Sequence, residues 1–148
     1  MRFGRFLAIL LLVATVTVVT VAGNGIIQRS IPSTGRVFIV SLGVDVFWDL
    51  ECSRQVSEVD WGTFEPGDSK NVSVYVKNTG NKALILSLNT TDWAPATAET
   101  YIAVTWDAED AHLSEGGALK VNITLSVSAS ISGITDFQFS IVITGGEA

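Results

Sequence analysis

The sequence predicts an all-β protein, an antiparallel β-sandwich of about seven strands preceded by an N-terminal hydrophobic helix. Beyond residue 34, apolar and polar side chains alternate with a period of two, which is typical of half-buried strands. Turn residues interrupt these stretches at intervals of about 8 to 12 residues, as they do in sandwiches. The chain has 148 residues, 47% of them hydrophobic, and the apolar excess lies in the first 23. It therefore has room for one domain behind a targeting segment.

The N-terminal segment begins with Arg2 and Arg5 and continues as an apolar run, residues 6–22, without charge, glycine or proline. A basic start followed by such a run directs a chain into or across a membrane. Small residues at Thr20 and Ala22 favour cleavage by signal peptidase. The length of the run exceeds the core of a signal peptide, about 7 to 15 residues, and reaches the lower limit of a membrane span, about 17.

Residues 1–23 are thus predicted to be a signal peptide or an uncleaved transmembrane anchor. Either one places the remaining chain outside the cytoplasm, as a secreted or a cell-surface protein. Residues 24–35 then form a linker or a donor segment. Ile26, Ile27 and Ile31 allow this segment to pair with the sheet edge of a second molecule, whereas its glycine, asparagine, serine and proline residues suit a flexible spacer.

The sandwich domain is predicted over residues 36–145, followed by a tail at 146–148. Its strands are recognised by alternating or continuous apolar residues and are expected at 37–48, 56–61, 70–78, 83–89, 101–106, 119–128 and 137–144. Pro66 and Gly67 suit the centre of a type II turn, and residues 78–81 suit a hairpin connection.

The first predicted strand is long and apolar on both sides. Its alternation places Phe38 and Val40 on the same side as Val44, Val46 and Trp48. Gly43 is a candidate bulge, at which the strand bends or passes between two sheets.

Charge and cysteine content limit the partners and the sources of stability. After residue 22, seven basic side chains stand against 15 acidic ones, a formal charge of −8. This balance argues against nucleic acid as a partner, because phosphate recognition needs clustered lysine and arginine. Cys52 is the only cysteine, so no disulfide forms within the chain and packing must stabilise the domain.

The sequence contains no catalytic constellation and predicts a protein that is not an enzyme. His112 is the only histidine and follows acidic residues in a polar loop, where an exposed turn residue is expected. No glycine pattern of a nucleophile elbow surrounds any serine. A copper site of the cupredoxin kind needs two histidines and a cysteine, and the chain has one histidine. No cofactor is expected, and calcium is the alternative.

Two kinds of ligand site have candidate residues. Asp107, Glu109 and Asp110 crowd one loop and could bind calcium, which takes six to eight oxygen ligands. Their spacing is not that of an EF-hand, and a solvated acidic loop is the simpler interpretation. Exposed aromatic rings could stack on a surface glycan, and Trp93 in a polar loop and Tyr75 on a polar strand face are the exposed candidates. Among the other aromatic residues, Trp48 and Trp106 lie on apolar faces and are predicted to be core.

Three asparagines are candidate glycosylation sites. Asn71, Asn89 and Asn122 each begin an N-x-S/T sequence, which is the acceptor of N-linked glycans in secreted proteins. They agree with the predicted location outside the cytoplasm.

Part of the chain resembles known surface domains. Residues 61–81 read WGTFEPGDSKNVSVYVKNTGN and resemble a strand, turn and strand of many extracellular immunoglobulin-like sandwiches. The resemblance implies that the predicted sandwich is immunoglobulin-like.

A longer resemblance covers about residues 32 to 145. Small secreted or membrane-anchored β-sandwich proteins of archaea are similar in four segments, which read IPSTGR at 31–36, GVDVFWDLEC at 43–52, VDWG at 59–62 and SISGITDFQF at 130–139. The chain is also loosely similar to subunits of the TasA and archaeal bundling-pilus type. That similarity implies polymerisation by donation of an N-terminal strand to the next subunit.

These observations predict a non-enzymatic extracellular or cell-surface protein with a structural or adhesive role. The most specific version of this prediction is a filament subunit that uses residues 24–35 as a donor strand. The expected partner is a protein or a second copy of the chain, together with a membrane through residues 6–23 if they are not cleaved. The alternative is a surface module that binds a glycan or calcium.

Overall fold

The computed structural model describes residues 33–148, without the side chain of Leu42. The predicted N-terminal helix and the donor-strand candidates Ile26, Ile27 and Ile31 lie outside these residues. Between Ser33 and Ala148, no helix is long and apolar enough to cross a membrane.

Most of the described chain is β-strand. The strands, in chain order, are β1 (Ser33–Leu42), β2 (Asp45–Phe47), β3 (Glu58–Phe64), β4 (Ser69–Lys77), β5 (Leu84–Ala94), β6 (Ile102–Trp106), β7 (His112–Leu113), β8 (Ala118–Val127) and β9 (Asp136–Glu147). A short 3₁₀ helix, Ala96–Thr100, connects β5 to β6.

The strands form two sheets that pack face to face. The odd-numbered strands make a five-stranded sheet in the order β3-β1-β9-β5-β7, and the even-numbered strands make a four-stranded sheet in the order β2-β4-β8-β6. Neighbouring strands are antiparallel except β1 and β9, which run parallel. The predicted all-β sandwich is confirmed, but it has nine strands where about seven were expected, and the β1–β9 pair departs from the predicted antiparallel arrangement.

Every connection between consecutive strands crosses from one sheet to the other. The predicted hairpin at residues 78–81 is therefore wrong, because these residues join β4 to β5 in the opposite sheet. The turn residues were identified correctly, but a tight turn fits a crossing between sheets as well as a hairpin within one sheet.

Gly43 is the point at which the chain first changes sheets, between β1 and β2. Its φ is +77°, and a Cβ at this position would lie 2.7 Å from the carbonyl oxygen of Gly145. Only glycine fits such a conformation and such a close backbone approach. The predicted passage of the first strand between two sheets is confirmed.

The crossing at Gly43 reverses which residues point inward. In β1 the buried residues are Val37 and Ile39, whereas Phe38 is 39% exposed and Val40 is 41% exposed. After Gly43, Val44 and Val46 are buried. The prediction that Phe38 and Val40 share a face with Val44 and Val46 is thus wrong.

The core lies between the two sheets and consists of aliphatic residues with aromatic rings at one end. The rings of Phe64 and Phe137 are 6.1 Å apart, those of Phe137 and Phe139 6.2 Å, and Trp93 stacks on Phe139 at 3.9 Å. Full burial of one large apolar side chain stabilises a fold by roughly 1.5–3 kcal/mol. The largest wholly buried side chains are Phe64, Phe139, Leu86, Ile123, Leu125, Ile141 and Ile143.

The strands extend beyond the predicted domain limits of 36–145. β1 begins at Ser33, so the last residues of the predicted linker or donor segment belong to the sheet. At the other end, Gly146 pairs with Ile85 and Glu147 pairs with Leu84. Most of the predicted tail, 146–148, is therefore strand.

Candidate functional site

β6 is an edge strand with free backbone groups. The amide of Ser128 donates to the carbonyl of Tyr101 at 2.7 Å, and that of Asp107 donates to the carbonyl of Asn122 at 3.3 Å. The odd-numbered residues of this stretch therefore face β8, and antiparallel alternation directs the backbone groups of the even-numbered residues away from the sheet. Within residues 33–148, no strand pairs with this outer side of β6. The groups that point outward belong to Ile102, Val104 and Trp106.

A shallow groove of about 310 Å³ lies beside the start of β6. Its apolar lining includes the buried side chains of Ile102 and Val127 and the half-buried side chain of Tyr101. An extended segment that paired with β6 could place a side chain in this groove. The lining residues are Glu99, Thr100, Tyr101, Ile102, Ala103, Ser126, Val127 and Ser128.

The second half of the free side of β3, by contrast, is blocked by Lys70 of β4. The Nζ atom of Lys70 donates to the carbonyl oxygens of Trp61 at 3.0 Å and Thr63 at 2.5 Å, and it lies 4.5 Å from the centre of the Phe64 ring. Lys70 occupies an inward-facing position of its strand. A charge placed in this way protects a sheet edge from pairing with another strand.

The outer side of β2 is covered by the loop that follows it. The amide of Val56 donates to the carbonyl of Val46, and the amide of Trp48 donates to the carbonyl of Arg54, both at 2.8 Å. The chain thus folds back on its own edge strand, which leaves β2 covered along its short length.

The outer side of β5 is covered over its first half. β7 pairs with Leu84 and Ile85, and the amide of Leu86 donates to the carbonyl of Ala111 at 2.9 Å. The amide of Leu88 donates to Oε2 of Glu109 at 3.3 Å. A carboxylate therefore takes the place of a neighbouring strand at this position.

The three candidate calcium ligands have separate structural roles. Asp107 accepts hydrogen bonds from the backbone amide of Asn122 at 2.8 Å and from its Nδ2 at 2.7 Å. Oε2 of Glu109 accepts the indole N–H of Trp106 at 2.6 Å as well as the amide of Leu88. Asp110 has a φ of +57°, and its amide donates to the carbonyl of Leu86 at 2.9 Å.

The described chain does not gather these carboxylates as metal ligands. From Ser33 to Ala148, no group of three histidine, cysteine, aspartate or glutamate side chains could hold a metal ion. Calcium binding at Asp107, Glu109 and Asp110 stays a prediction from the sequence. The backbone N–H of Asn122 instead stabilises the charged form of Asp107 and lowers the pKa of that carboxyl.

The aromatic candidates for glycan stacking occupy different places. Trp93 lies in β5, half-buried against Phe139, with the two ring planes 15° apart. The prediction that Trp93 lies in an exposed loop is wrong, because β5 runs five residues beyond its expected end. Tyr75 lies on the outer face of the four-stranded sheet and is register partner to Phe47. Trp48 and Trp106 are half-buried and pack against the core.

The three glycosylation candidates lie on three strands. Asn71 is in β4, Asn89 in β5 and Asn122 in β8, and all three are exposed. Asn71 and Asn122 lie on adjacent strands, so that Asn71 pairs with Thr124 and Ser73 pairs with Asn122. Oδ1 of Asn122 accepts the hydroxyl of Ser73 at 2.6 Å.

Comparisons with protein-family models and with curated proteins give no match to the chain. The function must therefore be inferred from the site itself.

The open edge of β6 is the feature of this site that the sequence did not predict. Periodicity identified the strand but gave no information on which neighbours it has, because sheet order depends on long-range pairing.

Proposed function

We propose that this chain is a non-enzymatic protein of the cell surface whose sandwich acts by pairing with an extended segment of another protein. In the most specific version of this proposal, the other protein is a second copy of the chain. The observation that carries the proposal is the open side of β6. Natural proteins cover or block their sheet edges, and an unblocked edge is a template for a further strand.

The contrast between the edges supports this assignment. Lys70 blocks the second half of β3, the loop at residues 54–56 covers β2, and Glu109 with β7 covers the first half of β5. The same molecule leaves β6 without such a device in its described part. A partner strand would form its backbone hydrogen bonds with Ile102, Val104 and Trp106.

The donor segment that we propose is residues 24–32, the part of the predicted linker that precedes β1. Its apolar residues Ile26, Ile27 and Ile31 lie within a stretch of six residues, and β6 has five. At about 3.3 Å per residue the two stretches have similar lengths. The segment becomes an N-terminal extension if residues 1–23 are a cleaved signal peptide and a tether if they are an anchor.

The proposal also includes a location outside the cytoplasm and the family resemblance. The basic and apolar N-terminus supports secretion or anchoring, and the two packed sheets support an immunoglobulin-like sandwich of the kind found in small archaeal surface proteins. An immunoglobulin-like topology and a filamentous state stay predictions.

Substitution of Val104 tests the proposal, with the chain in the form in which the cell processes it. Val104→Pro removes one outward N–H, and proline is tolerated on the free side of an edge strand. Val104→Ala retains the N–H and serves as the matched control. We expect filaments or oligomers in electron microscopy for the wild type and Val104→Ala, and monomers for Val104→Pro. Assembly by a folded Val104→Pro variant, or monomers for all three proteins under all assembly conditions, would overturn the proposal.

A further inference from the structure

Besides β3, whose free side is partly occupied by Lys70, strands β4, β5 and β6 each have a segment without a neighbouring strand on one side within residues 33–148. The first is the N-terminal part of β4, residues 69–74, because β2 pairs only with the last three residues of that strand. The second is the end of β5, residues 89–94, which extends past β7 and Glu109. The third is β6. The first two segments contain a glycosylation sequence, and the third contains none.

Asn71 lies in the middle of the open half of β4. Its side chain is exposed and makes no hydrogen bond to any described residue. The backbone groups of every second residue of β4 point to the same side of the strand. Those of Tyr75 and Lys77 point toward β2, so those of Asn71 point to the same side, which is open at this position. A substituent on Asn71 would therefore lie next to free backbone N–H and C=O groups.

Asn89 is the first residue of the open end of β5, and its own backbone groups face β9, not the open side. Its side chain is exposed, and its Oδ1 accepts the amide of Thr90 at 2.8 Å. Its Nδ2 has no hydrogen-bond acceptor among residues 33–148. The amide of Thr90 faces the open side, so Asn89 already acts as a small cap on the free edge, and its nitrogen remains accessible.

Asn122 differs from the other two because both ends of its amide are in use. Its Nδ2 donates to Asp107 at 2.7 Å, and its Oδ1 accepts the hydroxyl of Ser73 at 2.6 Å. β8 is also paired on both sides, with β4 and with β6. A sugar on Nδ2 of Asn122 would displace Asp107 and press on neighbouring strands, and it would shield no free edge.

We propose that Asn71 and Asn89 carry N-linked glycans that shield the open segments of β4 and β5, and that Asn122 is an unmodified structural residue. In the transfer, a bond forms between Nδ2 and C1 of a sugar, while the bond from C1 to the phosphate of a lipid-linked oligosaccharide breaks. Nδ2 loses a proton, and the lipid phosphate leaves with the bonding electrons. The shielding leaves β6 as the edge open to a partner strand.

This inference rests on the proposed location outside the cytoplasm, where such transfer takes place, and the glycan occupancy of the three asparagines is independent of self-assembly. Its test is site-resolved mass spectrometry of glycopeptides from the protein purified from its native host. We expect glycan mass on Asn71 and Asn89, and unmodified Asn122. An exported protein without glycan on Asn71 and Asn89, or with glycan on Asn122, would overturn the inference whatever the outcome of the assembly experiment.

A second measurement tests the shielding role with variants of the full chain made in the same host. Asn71→Gln and Asn89→Gln remove the acceptors, and we expect each variant to keep its fold and to associate at lower protein concentration than wild type in sedimentation experiments. Asn122→Gln is the matched comparison, for which we expect unchanged glycan content and a melting temperature lower by a few degrees. Unchanged association of the double variant Asn71→Gln, Asn89→Gln would contradict shielding.

Discussion

The Nζ atom of Lys70 donates a hydrogen bond to the carbonyl oxygen of Trp61 at 3.0 Å and thereby joins the two sheets at an edge of the sandwich. The two residues lie in β4 and β3, which belong to opposite sheets and share no backbone pairing. The same ammonium group also serves Thr63, so one side chain occupies two backbone acceptors that a foreign strand would need. The four-stranded sheet thus contributes the group that closes an edge of the five-stranded sheet.

Replacement of Lys70 by methionine is expected to open the edge of β3. The substitution retains an unbranched side chain against Phe64 but leaves the carbonyls of Trp61 and Thr63 without their donor, which lowers the free energy of unfolding by about 1–3 kcal/mol. Lys82→Met is the control, because the side chain of Lys82 forms only an exposed ion pair with Glu147 and such pairs contribute about 0–1 kcal/mol. Urea denaturation measures both variants, and equal losses would contradict the role given to Lys70.

The stacking of Trp93 on Phe139 predicts that Trp93 stabilises the fold. Truncation to alanine removes a half-buried ring from the aromatic end of the core, and we expect a loss of about 2–4 kcal/mol. Trp93→Phe retains a ring and should lose less. Thermal unfolding measures the difference. A stability of Trp93→Ala equal to wild type, together with weakened oligosaccharide binding, would instead favour a glycan site at Trp93.

Asn78 is expected to be the most costly polar residue to replace. It is wholly buried, and its Nδ2 lies within hydrogen-bonding distance of the carbonyls of Lys82 at 2.6 Å and of Leu113 and Ser114 at 3.1 Å. Alanine at this position leaves buried carbonyls unpaired and should lower the unfolding free energy by about 2–4 kcal/mol. Asn81→Ala, at an exposed position nearby, should change it by less than about 0.5 kcal/mol. Chemical denaturation that ranks these two variants the other way round would refute this account of the crossing between β4 and β5.

Stability is expected to fall in acid partly through Asp107. The pKa of its carboxyl is lowered from the ordinary value of 3.8, mainly by the backbone N–H of Asn122. A pKa that is lower in the folded state contributes stability above the ordinary value, and this contribution is lost as the pH falls through the lowered value. Asp107→Asn should therefore unfold more easily than wild type at neutral pH and show a smaller decrease of stability below about pH 4. Parallel curves for the two proteins across this range would contradict the assignment.

The sequence predicts the strands better than it predicts their neighbours. Period-two patterns located β4, β8 and β9 within one to three residues of their observed limits, because alternation depends only on which side chains of a strand are buried. The two-residue strand β7 is too short for any pattern. Lys70 stands in the same register as the apolar residues of β4, but its acceptors on β3 depend on the contact between sheets.

For the candidate sites too, the sequence predicts the residues but not their neighbours in space. Sequence motifs located the three asparagine acceptors, but only the strand order separates Asn71 and Asn89, on open segments, from Asn122 on an inner strand. The acidic loop was recognised by composition, whereas the use of Glu109 as a cap for the amide of Leu88 follows from the approach of two distant segments. Pairing between residues far apart in the chain is what local patterns do not contain.

The most direct test of the account is residue-resolved hydrogen exchange of β6 in the monomer and in the assembled state. In the monomer, the outward amides of Ile102, Val104 and Trp106 should exchange quickly, whereas those of Ala103 and Thr105, which face β8, should exchange slowly. On assembly, the three outward amides should become protected, since a partner strand then pairs with them. Assembly that leaves these three amides unprotected would contradict the claim that β6 is the docking edge.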